Sequence, residues 1–126
     1  MPELDYRPLT DSEKAIVMKM LSVDLPGVEI LREQANHAMA RVLDRYGSIA
    51  FKLGLVERTR FSDGPLISAL QPDTDTVQRY GPSVNIILFI KDGLIGELQI
   101  YKDDGSKILG SVDVQKFDLV VDKRKA

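Results

Sequence analysis

Asp73-Thr74-Asp75-Thr76-Val77 is the stretch whose spacing comes nearest to a catalytic pattern. Two aspartates separated by one residue, with Val two further on, is a form used for phosphoryl transfer through an aspartyl nucleophile. That chemistry needs the pair directly after a buried strand. It also needs a long α/β chain behind it to supply a lysine and further carboxylates for magnesium. Pro72 separates this motif from the preceding strand, and residues 78–126 read as hairpins. A short pattern outside its structural context reads as a polar loop. His37 is the sole histidine, and neither a catalytic triad nor a zinc site can be built around one imidazole. Asp92, Glu97, Asp103 and Asp104 could be imagined as a carboxylate pair for glycoside chemistry. Asp92 and Asp104 have turn duties ahead of glycines, and Glu97 faces outward on a strand. The reading is therefore of a protein without catalytic residues, resident metal or cofactor.

Composition narrows the partners. The chain has 126 residues, 44% hydrophobic and 29% charged, with a net charge of −2. These values suit one folded domain. With the tail Lys123-Arg124-Lys125 set aside, 14 basic residues face 19 acidic ones, so the body carries −5. Such a body suits a basic partner better than a nucleic-acid backbone, but five charges on a small domain are also routine for solubility, and that is the favoured reading. Cysteine is absent, which excludes disulfides and thiolate chemistry and fits a reducing cytoplasm. Met1-Pro2-Glu3-Leu4-Asp5 contains no apolar run of the secretory kind, and no stretch is long enough for a membrane span. The expectation is a cytoplasmic protein that engages neither nucleic acid nor membrane.

The elements that must position any site follow from periodicity. The expected helix over residues 9–23 opens with a capping box, Thr10 paired with Glu13, and carries Ile16, Val17, Met20 and Leu21 on one stripe. A second helix is expected over 25–36, with Pro26 in its first turn and Val28, Leu31 and Ala35 inward. From Met39 the apolar period changes to two. Met39–Arg45 and Ser48–Leu53 read as a hairpin, Leu55–Phe61 as a charged edge strand, and Leu66–Leu70 and Phe117–Val121 as further strands. Lys107–Leu109 reads as a returning segment after Asp104-Gly105. Residues 122–126 form a tail. The class is α+β: two N-terminal helices on a mainly antiparallel sheet of five to six strands, spanning 39–121, in one domain.

The centre of that sheet is the hairpin Val84–Tyr101, turning at Asp92-Gly93. A two-residue loop pairs Lys91 with Leu94 and sets Leu88 opposite Glu97 and Ile86 opposite Gln99. A three-residue loop with Gly93 as a left-handed bulge pairs Ile90 with Leu94, Leu88 with Gly96, Ile86 with Leu98 and Val84 with Ile100. The second register joins apolar to apolar and is the one expected. It gathers Ile87, Phe89 and Ile95 with Asn85, Glu97 and Gln99 on the other face. That face is either covered or an amphipathic patch for a partner, with burial favoured.

Leu9-Thr10 with Glu13, Pro26-Gly27 with Leu31 and Gln34, Gly47-Ser48, Ile90 to Asp92-Gly93-Leu94, Glu97-Leu98-Gln99-Ile100-Tyr101 and Asp104-Gly105 mark the caps, turns and core positions along the chain. On these residues the chain resembles a group of uncharacterised small bacterial α+β proteins. In build it is similar to immunity proteins of contact-dependent toxin systems. That resemblance implies a non-enzymatic protein that occludes a cognate toxin, such as a nuclease, delivered by a competing cell. The acidic body would meet a basic cleft. Asp73, Asp75 and Tyr80 in the polar stretch, with Asp103 and Asp104 in the later turn, are the expected partner-binding residues. The competing expectation is a small-ligand-binding or regulatory module.

Overall fold

Both halves of the Thr10–Glu13 capping box form. The computed structural model describes residues 6–72, 83–102 and 112–122, and its first helix, α1, is Asp11–Met20. The Thr10 hydroxyl accepts from the Glu13 amide at 3.1 Å, and the Glu13 carboxylate accepts from the Thr10 amide at 2.9 Å. Two free donors at the helix start are thereby satisfied. Arg7 adds a two-pronged contact to the same carboxylate at 2.6 and 2.8 Å. The helix is shorter at both ends than the 9–23 expected.

The second helix, α2, is Val28–His37, starting three residues later than expected. Pro26 belongs to a turn before it. The Val28 amide donates to the Leu25 carbonyl at 3.0 Å, and Gly27 sits at φ 94°, ψ −8°. Those angles belong to the third position of a type II turn, where an L side chain is strained. Pro26 occupies the preceding position, which takes the same φ as a first helical residue.

Among the described residues, seven strands follow the order β1-β2-β3-β6-β5-β4-β7, every neighbouring pair antiparallel. They are β1 (Arg7–Pro8), β2 (Met39–Val42), β3 (Ile49–Lys52), β4 (Gly64–Pro72), β5 (Ser83–Lys91), β6 (Leu94–Lys102) and β7 (Asp118–Val121). The count exceeds the expected five to six. β1 pairs with β2 through only two residues, too few to show an alternation. Leu55–Phe61 is not a strand. Thr59 sends its amide to the Gly93 carbonyl at 2.9 Å, a tether to the hairpin end in place of a ladder. The expected Lys107–Leu109 segment lies outside the described residues.

The Asp92-Gly93 loop has two residues, not three. Lys91 pairs with Leu94, and Asp92 and Gly93 both have positive φ, 54° and 76°, as a type I′ turn requires. The extra residue that restores apolar pairing is Gly96. The ladder runs Ile90↔Ile95 and then Phe89↔Glu97, so Gly96 forms a bulge on β6. Beyond it Leu88 meets Leu98, Ile86 meets Ile100 and Val84 meets Lys102. The expected split into faces survives except at the turn, where Ile95 enters the core and Leu94 is half-buried. β4 carries its own irregularity between Pro65 and Ile67. Both neighbours of β5 thus hold an extra residue near Phe89, where bulges increase bend and twist.

The core lies between the two helices and one face of the sheet. Val17, Met20 and Leu21 from the first helical region and Val28, Leu31 and Ala35 from α2 are buried. They share one cluster with Ile49, Ile67, Ala69, Ile86, Leu88, Ile95, Leu98 and Ile100. Each fully buried aliphatic side chain contributes roughly 1.5–3 kcal/mol of transfer free energy.

Candidate functional site

Strand alternation decides what the opposite face presents. With Ile49, Leu98, Leu88 and Ile67 turned to the helices, the intervening residues turn away. One row across the sheet reads Pro65, Phe89, Glu97, Ala50 and Arg41, joined by successive cross-strand pairs. A second reads Val120, Ser68, Ile87 and Gln99, and a third Asp118, Leu70, Asn85 and Tyr101. Among the described residues, both helices pack on the other side. Leu70, Tyr101 and Val120 are 40%, 41% and 56% exposed, while Asn85, Ile87, Phe89, Glu97 and Gln99 are half-buried. Among the described residues this face is therefore an amphipathic surface left partly open, where the sequence favours full burial.

Its charge is zoned. Glu97 stands near the centre, between Phe89 and Ala50, and accepts from the Gln99 side chain at 2.9 Å. Arg41 and Lys52 lie toward the β2 edge, with the Tyr6 ring beside both. At the hairpin end, a shallow groove of about 390 Å³ is lined by Asp63, Phe89, Lys91, Gly96, Glu97 and Gln99. A second groove, of about 290 Å³, lies between the start of α2 and residues 57–61.

Two buried polar side chains hold this surface in shape. Gln34 of α2, 1% exposed, donates to the Glu57 carbonyl at 2.8 Å and the Gly93 carbonyl at 3.0 Å. Its own carbonyl accepts from the Ile95 amide at 2.9 Å. Ser48 accepts from the Ile100 amide at 2.8 Å and donates to the Ile100 carbonyl at 3.2 Å. The β3–β6 ladder comprises only Ile49↔Leu98 and Ala50↔Glu97. Side chains therefore complete the outer edge of β6 on either side of it.

The five sequence candidates, Asp73, Asp75, Tyr80, Asp103 and Asp104, lie outside the described residues, as does the whole Asp73–Val77 motif. Of the other groups weighed for chemistry, Asp92 is in the turn and receives Asp63 on its amide at 2.9 Å. His37 is exposed and lies 2.9 Å from Glu33 one helical turn earlier. Among the described residues, no three His, Cys, Asp or Glu side chains cluster in a way that could hold a metal ion. Arg41 and Lys52 were not singled out from sequence. The signal was present: both occupy outward positions of the predicted 39–45/48–53 hairpin, whose register sets them on one face.

Fold and surface together define an α+β protein with helices on one side of an antiparallel sheet and a mixed polar–apolar face on the other. Within that class, the chain belongs to the family described as Domain of unknown function (DUF6984), whose pattern matches residues 6–112. The matched region runs from Tyr6 through β6 and stops ahead of β7. No curated protein and no solved structure matches the chain. No helix among the described residues is long and apolar enough to cross a membrane.

Proposed function

We propose that this protein is a non-enzymatic immunity protein that binds and occludes a cognate bacterial toxin, a nuclease for example, in the cytoplasm of the cell it protects. The observation that carries the reading is the open sheet face. Exposed Leu70, Tyr101 and Val120 supply apolar contact area, and Glu97 supplies a central carboxylate beside half-buried Phe89 and Ile87. Interfaces of this composition combine an apolar centre with charges that steer and orient the partner. A net acidic body favours encounter with a basic cleft.

The acidic residues expected from sequence lie next in the chain to two strands of that face, outside the described residues. Asp73 and Asp75 follow the end of β4, and Asp103 and Asp104 follow the end of β6. Those two ends flank the start of β5, where Pro72 pairs with Ser83 and Lys102 with Val84. Leu70 and Tyr101 stand just behind them, on either side of Asn85. A toxin seated on the open face would meet Leu70 and Tyr101 together with the Glu97 carboxylate.

Co-expression with the product of a neighbouring toxin-like gene tests the reading. Co-purification and protection from growth arrest are expected. Reversal of Asp73, Asp75, Asp103 and Asp104 to Lys should weaken both. Binding unchanged by the reversal overturns the acidic-surface mechanism. Saturable capture of a small ligand in place of a protein would move the assignment to a ligand-binding module.

A further inference from the structure

Tyr6, Arg41 and Lys52 meet at the β2 edge of the open face. Arg41 stands opposite Ala50 and Lys52 opposite Met39, so the two cations are diagonal cross-strand neighbours, about 7–8 Å apart at the backbone. The Tyr6 ring centroid is 5.7 Å from the Arg41 guanidinium carbon and 5.4 Å from Lys52 Nζ. One aromatic ring therefore lies within cation–π reach of two positive charges. Neither cation belongs to an ion pair among the described residues, where the pairs are Arg7–Glu13, His37–Glu33 and Lys91–Asp63. Among the described residues, Arg41 Nε is shielded from solvent and finds no hydrogen-bond partner. A buried donor left unpaired is destabilising, and neighbouring like charges add repulsion.

We propose that Tyr6, Arg41 and Lys52 form a carboxylate-binding corner that receives an acidic side chain of a protein docked on the open face. A carboxylate neutralises the two charges at once. Its planar pair of oxygens matches the guanidinium fork, and Lys52 adds a point charge beside it. Nucleic acid is the poorer ligand, because the body carries −5 and Glu97 shares the surface. Arg41 and Glu97 are two strands apart through Ala50, about 10 Å at usual strand spacing. The complementary partner thus offers a carboxylate over the corner and a cation over Glu97 at that separation. This deepens the docking reading for the same face, although the corner can be probed without any toxin.

The test is an NMR titration of the isotope-labelled full chain with a blocked tri-glutamate peptide, following Arg41 Nε–Hε, Lys52 Nζ and the Tyr6 ring. A single-stranded oligonucleotide is titrated in parallel. Saturable shifts at all three side chains are expected, with affinity reduced about tenfold by R41Q. R41K keeps the charge without the fork and should fall between wild type and R41Q. An Arg41 resonance that does not move, equal affinity in R41Q, or tighter binding of the oligonucleotide overturns the corner. Tri-lysine peptide shifts at Glu97 with Arg41 unmoved would overturn the corner while leaving the docking face standing. Tri-glutamate binding at Arg41 without toxin co-purification would support the corner and remove the immunity assignment.

Discussion

Gln34 takes the place of a neighbouring strand for Ile95. The Ile95 amide donates to the Gln34 side-chain carbonyl at 2.9 Å, where β6 extends past its two-residue ladder with β3. The Gln34 amide group simultaneously holds the carbonyls of Glu57 and Gly93. Thr59 binds the Gly93 carbonyl again, through its amide at 2.9 Å and its hydroxyl at 3.0 Å. One helix residue thus joins the hairpin turn, the irregular segment before β4 and the bulged start of β6. The open face owes its shape at this end to contacts made from the opposite side of the sheet.

Replacing Gln34 with Leu keeps volume and removes the bonds. The Ile95 amide is left buried without its partner and the part-buried Glu57 carbonyl loses its donor, so a loss of about 1–3 kcal/mol is expected. Urea denaturation measures it. Amide exchange at Ile95 should accelerate more than at Leu98, whose neighbouring strand is intact.

Gly93→Ala should be among the most damaging single-atom additions. A Cβ there would lie 2.5 Å from the Thr59 carbonyl oxygen, a backbone atom with little freedom to retreat. Holding an L residue at φ 76° adds about 1–2 kcal/mol. The summed loss should exceed about 2 kcal/mol, read from the denaturation midpoint. Asp92→Asn, at φ 54°, should stay within about 0.5 kcal/mol because Asn tolerates the left-handed region.

Ser48→Ala removes the hydroxyl that serves both polar groups of Ile100. With Ser48 buried, about 1–3 kcal/mol should be lost. Exchange of the Ile100 amide should quicken relative to Ile86, its partner across β5.

Glu13 gives the fold an acid limb. The Arg7 hydrogen bonds hold its carboxyl below the usual carboxylate range, outweighing the opposing effect of burial, and the Thr10 amide acts in the same sense. A carboxyl whose folded pKa is depressed stabilises fully above its unfolded value, about 4.3. That contribution disappears as pH falls through the lower folded value. The stability gap between wild type and Glu13→Gln should therefore be largest near neutrality and close in acid. Thermal melts across pH 2–7 (roughly the range between the two limits) measure the gap. A gap independent of pH would refute the linkage.

Leu70→Thr with Val120→Thr tests the surface without rebuilding the core. Both residues are exposed on strands, and Thr keeps the β preference. Stability should change by about 0.5 kcal/mol per site or less, while affinity for the proposed toxin partner falls. Adding Glu97→Lys should slow association and reverse its salt dependence. Interferometry at two salt concentrations separates the rate effect from the affinity effect.

The capping box was legible in the sequence because both of its bonds close within four residues. Pro26-Gly27 was legible as a break, but its turn was not. The same proline φ serves a first helical residue and the second position of a type II turn, and the Val28–Leu25 bond chooses the turn. β1 left no trace, since two residues carry no period. Gln34 was readable only as a polar residue between Leu31 and Ala35 on the buried stripe. The partners that satisfy it are 23, 59 and 61 residues away. The candidates Asp73, Asp75, Tyr80, Asp103 and Asp104 came from composition and resemblance, and they lie outside the described residues.

The central hairpin separates the two kinds of information. Alternation along Val84–Tyr101 determined which residues share a face, because side chains repeat every two residues. It required one extra residue on the second strand and could not locate it, since Gly93 in the loop and Gly96 in the strand restore the same parity. Tertiary contacts made the choice. Thr59 and Gln34 bind the Gly93 carbonyl, Asp63 binds the Asp92 amide, and Gln34 takes the Ile95 amide. Those partners hold a two-residue turn and leave the bulge to Gly96. Local pattern specifies parity, whereas position along the strand depends on groups distant in the chain.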